Sequence, residues 1–225
     1  MRILAIDTAT PSASAALVDD GLILAECLLS GQKNHSERLL QIIDKLFDWT
    51  GNARESIDCI AVSVGPGSFT GLRVGISTAQ GLAFALDKPL AGVPELEVVA
   101  SQATGDGLVS PMIDARKQQV YASLYRRTGV ALEQVQQARV CDPLAWVESL
   151  PEHVLIIGAA VYSGRIAACS AAKGCTLAPA YMGIPRASTL AILAQAQYAG
   201  RAGRPELVSA LYVRPPDACL CEEKK

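Results

Sequence analysis

Asp7-Thr8-Ala9-Thr10-Pro11-Ser12 sets one carboxylate and three hydroxyls at the end of the apolar run Ile3-Leu4-Ala5-Ile6. An acid at a strand end, then hydroxyl residues and a return strand, is the layout of a phosphate-binding hairpin. Such hairpins use Gly so that the backbone can approach the phosphate. Here Ala9 and Pro11 fill the turn, and Pro removes one N–H donor. Asp, Ser and Thr in a turn also satisfy their own backbone. Asp7 and Thr8 therefore read either as the vestige of a nucleotide site or as a structural turn.

A second stretch runs Gly65-Pro66-Gly67-Ser68-Phe69-Thr70-Gly71-Leu72-Arg73-Val74-Gly75, between the apolar Cys59–Val64 and a segment rich in small residues. A Gly-rich strand-to-helix turn often cradles a phosphate on the helix N-terminus. This one lacks the Gly-Lys-Ser/Thr ending of a P-loop and the GxGxxG spacing, and no lysine is placed to reach a phosphate. Gly71, Gly75, Ala79 and Ala83 recur every four residues, a smooth stripe that allows close backbone approach. The stripe either packs inside its own lobe or, with Leu72, forms a subunit interface. On the second reading Gly75→Leu abolishes pairing and leaves the monomer folded.

The remaining chemistry-bearing residues are sparse. His35 and His153 are the only two histidines and suggest neither a metal pair nor a triad. Asp114-Ala115-Arg116 sits on a turn between two strands and reads first as an internal ion pair or a solvated turn. The seven cysteines show no CxxC pair, and Cys219-x-Cys221 is poorly spaced for zinc. No catalytic residue and no metal ligand is assigned, and no cofactor is expected. Twenty basic against twenty-two acidic residues argue against independent tight binding to nucleic acid. No apolar run approaches the roughly 20 residues of a membrane helix, and a cytoplasmic chain with no membrane contact is expected.

The elements that must position these residues follow from apolar patterning. Strands at 2–7, 13–18 and 22–29 make a meander around Asp19-Asp20-Gly21. Asn34 with Glu37 suggests a capping box, opening a helix to about Trp49 with Leu39, Ile42, Ile43, Leu46 and Phe47 on one face. Strand 58–64, helix 71–86 and strand 89–93 imply a parallel crossover. Strands at 108–113, 120–125, 131–140 and 154–158 follow. Helices are expected at 142–149, opened by Asp142-Pro143, at 162–172, and at 188–199 with Ser188 as cap. Two α/β lobes result, 1–104 and 105–225, the second with a frayed tail from Pro215.

Ile3-Leu4-Ala5-Ile6-Asp7-Thr8, Asn34-His35-Ser36-Glu37-Arg38-Leu39-Leu40, Gly65 to Gly75, Ile113-Asp114-Ala115-Arg116 and Leu211-Tyr212-Val213-Arg214-Pro215-Pro216-Asp217-Ala218 occur in this order. Together they resemble the bacterial TsaB family, also called YeaZ, across nearly the whole chain. The resemblance implies an α/β actin-like (ASKHA) two-lobe fold, each lobe a mixed sheet flanked by helices. It implies a role in forming N6-threonylcarbamoyladenosine at position 37 of tRNAs that read ANN codons. The implied partners are the paralogous enzyme TsaD in a heterodimer and TsaE in the assembled complex. A homodimer is implied when the chain is alone, and tRNA contact only through the complex.

Read against TsaD, Glu95 and Val99 stand where two metal-binding histidines would be, and valine has no donor atom. A non-catalytic subunit that activates TsaD is the expected role, with Gly71, Leu72, Gly75, Ala79 and Ala83 as partner interface. The alternative is a stand-alone actin-like ATPase or kinase. A peptidase lacks a supporting residue set.

Overall fold

The computed structural model describes residues 1–30, 38–158, 160–198 and 203–214. Arg2–Asp7 (β1), Ser12–Asp19 (β2) and Leu22–Ser30 (β3) form the antiparallel meander expected of the first thirty residues. Asp20 and Gly21 both take positive φ at the β2–β3 turn, the backbone a tight hairpin demands. Cys59–Gly65 (β4) and Leu90–Pro94 (β5) add in parallel, giving the order β3-β2-β1-β4-β5. The crossovers are Leu39–Thr50 (α1) and Phe69–Leu86 (α2).

Both helices cover one face of this sheet, α1 over β2 and β3, α2 chiefly over β4. The five apolar residues that the spacing assigns to one face of α1 are all buried. Arg38 is the N-cap of α1 and makes no side-chain capping bond, while Asn34, His35 and Glu37 lie outside the described residues.

The second sheet repeats the first. Gly107–Asp114 (β6), Val120–Thr128 (β7) and Ala131–Cys141 (β8) form a meander, and Leu155–Ile157 (β9) and Thr176–Leu177 (β10) add in parallel. The order β10-β9-β6-β7-β8 is the first order reversed, with each strand in the corresponding role. Pro143–Ser149 (α4), capped by Asp142 through Leu144 N–H and Ala145 N–H, and Ser163–Ala172 (α5) pack on one face. Two copies of this mixed sheet, each flanked by helices, make the actin-like two-lobe fold.

The short helix Glu95–Ser101 (α3) was not legible in the sequence, and it joins the lobes. Its Val98 enters the core of the first sheet, and Leu96, Val99 and Ala100 enter the inner face of the second. The last strand of the first sheet ends at Pro94 and the first strand of the second begins at Gly107. Ala187–Leu193 (α6), continued by a single π turn Ala194–Tyr198, returns to pack on β1 and β2. Its Ala187, Leu190, Ala191 and Leu193 fill the sheet face that α1 and α2 leave open. Ser188 is not its cap. Arg186 holds that position, while Ser188 N–H donates to Glu26 Oε1 at 3.0 Å. Residues 203–214 then run back along the first lobe as a strap. Leu90 pairs with Gly203, Gln80 Nε2 donates to the carbonyls of Pro205 and Val208, and Leu211 N–H donates to Val64 O. Among the described residues, no helix is long and apolar enough to cross a membrane.

Candidate functional site in the inter-lobe cleft

The hairpin after β1 folds onto the first turn of α2. Thr8 Oγ1 donates to Gly71 O at 2.7 Å, and Ser68 N–H donates to Ala9 O at 2.6 Å. Ser68 caps α2 by accepting from Gly71 N–H. Glycine is required on the α2 side. A Cβ on Gly67 would overlap Ala9 O, one on Gly71 would overlap Thr8 O, and one on Gly75 would overlap the Thr8 hydroxyl oxygen. The Gly-rich stretch is thus a packing device that lets residues 7–9 sit directly on the helix. Asp7 and Thr8 are both buried. Asp7 Oδ1 accepts from Ala9 N–H at 2.9 Å, a local turn contact.

The stripe expected to face a partner faces inward. Leu72, Gly75, Ala79 and Ala83 are buried in the core of their own lobe, and Gly71 is half-buried against Thr8. The solvent face of α2 carries Thr70, Arg73, Ser77, Gly81 and Phe84 instead, with open space beside Gly81. Phe84 is 73% exposed, and on the neighbouring α1 Trp49 and Leu40 are 64% and 56% exposed. Strict four-residue spacing identifies the stripe but cannot say which side of the helix the sheet takes.

A cavity of about 530 Å³ remains between the lobes. Thr10, Ser68 and Phe69 line it from the first lobe, Asp114, Arg116 and Tyr121 from the second, and Tyr212 and Arg214 from the strap. Three of the five stretches that carry the family resemblance line this cleft, and a fourth runs into its hairpin. Arg116, Lys117 and Gln118 take φ of +62, +51 and +59° at its mouth, a left-handed run that costs each non-Gly residue about 1–2 kcal/mol. The strap pins that turn. Arg214 Nη1 donates to Ala115 O at 2.8 Å, and Nη2 donates to Gln119 Oε1. Asp114 Oδ1 accepts from Arg116 N–H and from the Tyr162 hydroxyl, both within 2.9 Å. Burial and then the bonded Asp114 push the Tyr162 pKa up to about 12. Asp114-Ala115-Arg116 is accordingly a braced turn. The Tyr212 ring lies 5.5 Å from that of Phe69, whose other contact is the Arg73 guanidinium, 3.9 Å from its centroid.

Glu95 is fully buried, and Val99 lies in the core between α3 and the second sheet. Glu95 Oε2 accepts from the Ser63 hydroxyl at 2.5 Å. Burial and then the nearby Asp7 charge hold its carboxyl well above the usual carboxylate range. The Asp7–Glu95 neighbourhood and the strap were both missed by sequence reasoning. The one available signal was an acid, Glu95, at the head of the largely apolar stretch 96–100.

The family model described as "TsaD: tRNA N6-adenosine threonylcarbamoyltransferase" matches residues 23–223. The "tRNA threonylcarbamoyladenosine biosynthesis protein TsaB" of Bacillus subtilis strain 168 is 39% identical over 165 residues, 70% of this chain and 71% of the relative. The chain belongs to the TsaB family. The TsaB protein of Escherichia coli K12 is 42% identical over 130 residues, 56% of each chain. The solved structure "YeaZ from Pseudomonas aeruginosa" superposes with a TM-score of 0.80 at 29% identity, covering 94% of this chain and 99% of that one. A TsaB-family chain that also matches the TsaD model is a paralogue of the transferase.

Proposed function

We propose that this chain takes part in tRNA threonylcarbamoyladenosine biosynthesis as a non-catalytic partner subunit. It pairs with the transferase TsaD, which acts on position 37 of tRNAs that read ANN codons, and TsaE joins the assembled complex. The chain works in the cytoplasm, forms a homodimer when alone and meets tRNA only through the complex. The observation that supports this reading best is the hairpin seated on Gly67, Gly71 and Gly75, where a phosphate-binding hairpin would stand off from the helix. The net charge of −2 fits a subunit that leaves phosphate contacts to others.

The docking surface follows from the direction of the stripe. The outer face of α1 exposes Leu40 and Trp49, and that of α2 exposes Phe84 on the same face as the small Ser77 and Gly81, apolar points onto which a partner can pack. The purified chain is expected to show no transferase activity alone and to support it when TsaD, TsaE, ATP, tRNA and an activated threonylcarbamoyl donor are supplied. Gly81→Arg is expected to remove both the pairing and the support while the far-ultraviolet circular dichroism stays that of the wild type. Turnover by the chain alone, or full support by the variant, contradicts the reading.

The cavity favours a second reading, an ATPase or kinase acting alone, because the cleft is roomy and lined by Arg116 and Arg214. Calorimetry with ATP and magnesium separates the two. Micromolar binding with turnover by the isolated chain supports the second.

A further inference from the structure

Asp7 closes β1 and opens the hairpin over α2, while Glu95 opens α3, the helix shared by both lobes. The two carboxyls are 2% and 0% exposed. Asp7 Oδ1 is met by Ala9 N–H and Glu95 Oε2 by the Ser63 hydroxyl. Asp7 Oδ2 and Glu95 Oε1 are buried with no hydrogen-bond donor. Asp7 follows the pair Ile6 and Val62 of β1 and β4, and Ser63, next on β4, bonds Glu95, so the strand register brings two buried acceptors into one neighbourhood. They cannot both be anionic without a large desolvation cost. One proton between them satisfies both oxygens at once. We propose that Asp7 and Glu95 share a single proton at neutral pH and form a pH-set latch between the hairpin and the inter-lobe helix.

Among the described residues, none supplies a competing cation to the pair. The groups that act on the pair are the Ala9 N–H, the Ser63 hydroxyl and the two carboxyls themselves. The elements packed against α3 are β4, β5, β6, β7, β8 and α6. Of their charged and titratable groups, Asp114 of β6 bonds Tyr162, Tyr125 of β7 bonds Gln134, and Arg127 bonds Gly105 O. Arg139 of β8 lies over Trp146, and Arg186 at the head of α6 bonds Glu26. Cys59 of β4 has its thiol on Ile60 O. Tyr121, Arg126, Glu133 and Cys141, with Glu97 on α3 itself, complete the set, and none acts on either carboxyl.

Glu95 is the group that keeps the proton. Burial, then the Asp7 charge, raise its pKa well above the ordinary 4.5, and the hydrogen bond it gives Asp7 raises it further. Asp7 is raised by burial and brought back by the bonds it accepts from Ala9 and Glu95. A raised carboxyl pKa contributes stability that is whole below the ordinary value and is lost as pH rises through the folded value. Ionising the second carboxyl forces apart the ends of β1 and α3, and with them the hairpin and the inter-lobe core.

The test is thermal denaturation of the full chain against pH, for the wild type and Glu95→Gln, with infrared difference spectra of the pair. The wild-type midpoint is expected to fall by roughly 3–6 °C more than that of the variant between about pH 5 and pH 8. The wild-type-minus-variant spectrum should carry a protonated-carboxyl C=O band at neutral pH. Parallel pH curves, or no such band, overturn the latch. A wild-type midpoint raised by magnesium or calcium chloride and lowered by chelator, with no such response in Glu95→Gln, also overturns it and makes the pair a cation site. Asp7→Asn carries the same two measurements where Glu95→Gln does not fold.

Discussion

Gly75 is one of three glycines on which the hairpin sits, and its lack of a side chain lets Thr8 keep its bond to Gly71 O. Gly75→Ala drives a methyl into the Thr8 hydroxyl and is expected to cost about 1–3 kcal/mol. Thr8→Ala alone loses one hydrogen bond and is expected to cost about 1 kcal/mol. With the hydroxyl gone, the nearest remaining atom of Thr8 to that methyl is its Cβ at 3.6 Å, an ordinary contact. The double variant should therefore be more stable than the sum of the single losses by about 1 kcal/mol or more, in a urea-denaturation cycle. Additive losses contradict the packing described. Gly81, on the opposite face with nothing near it, gives the contrast. Gly81→Ala should stabilise the chain by up to about 1 kcal/mol through helix propensity alone.

Among the elements, α6 depends most on a distant contact. Glu26 of β3 accepts from Ser188 N–H and holds Arg186, so it ties the start of α6 to the first sheet. Glu26→Ala leaves that N–H without its acceptor and is expected to cost about 1–2 kcal/mol, read by chemical denaturation. Arg186→Ala keeps the Ser188 bond and should cost less, because the Arg186 side chain is 55% exposed. This contact also shows what the sequence could not supply for α6, whose span of 187–198 matches the expected 188–199 closely. Its apolar spacing is visible, but nothing local says which sheet it covers. The helix α3 was missed because seven residues after Pro94 are too few to display a period. The meander, α1, α2 and Asp142 were legible because hairpin turns, helical spacing and caps are local. Asp7, Thr8 and the stripe were found as special text, yet their partners lie some 60 residues away, and only the packing direction decides their role.

At the scale of the whole molecule, a duplicated lobe encloses a cleft whose first-lobe wall is sealed by its own hairpin, while α1 and α2 expose Leu40, Trp49 and Phe84 among polar residues. The two lobes are braced by α3, by Arg214 and by the strap. The proposed docking through the outer faces of α1 and α2 asks nothing of the cleft, so surface variants should separate pairing from folding. The most direct test is the mass of the complex formed with TsaD, by light scattering after size exclusion, for the wild type and for Gly81→Arg combined with Phe84→Glu. The wild type should elute as a complex with TsaD and the double variant as a folded chain apart from it. A complex of unchanged mass and stability with the double variant would contradict the assignment of this surface.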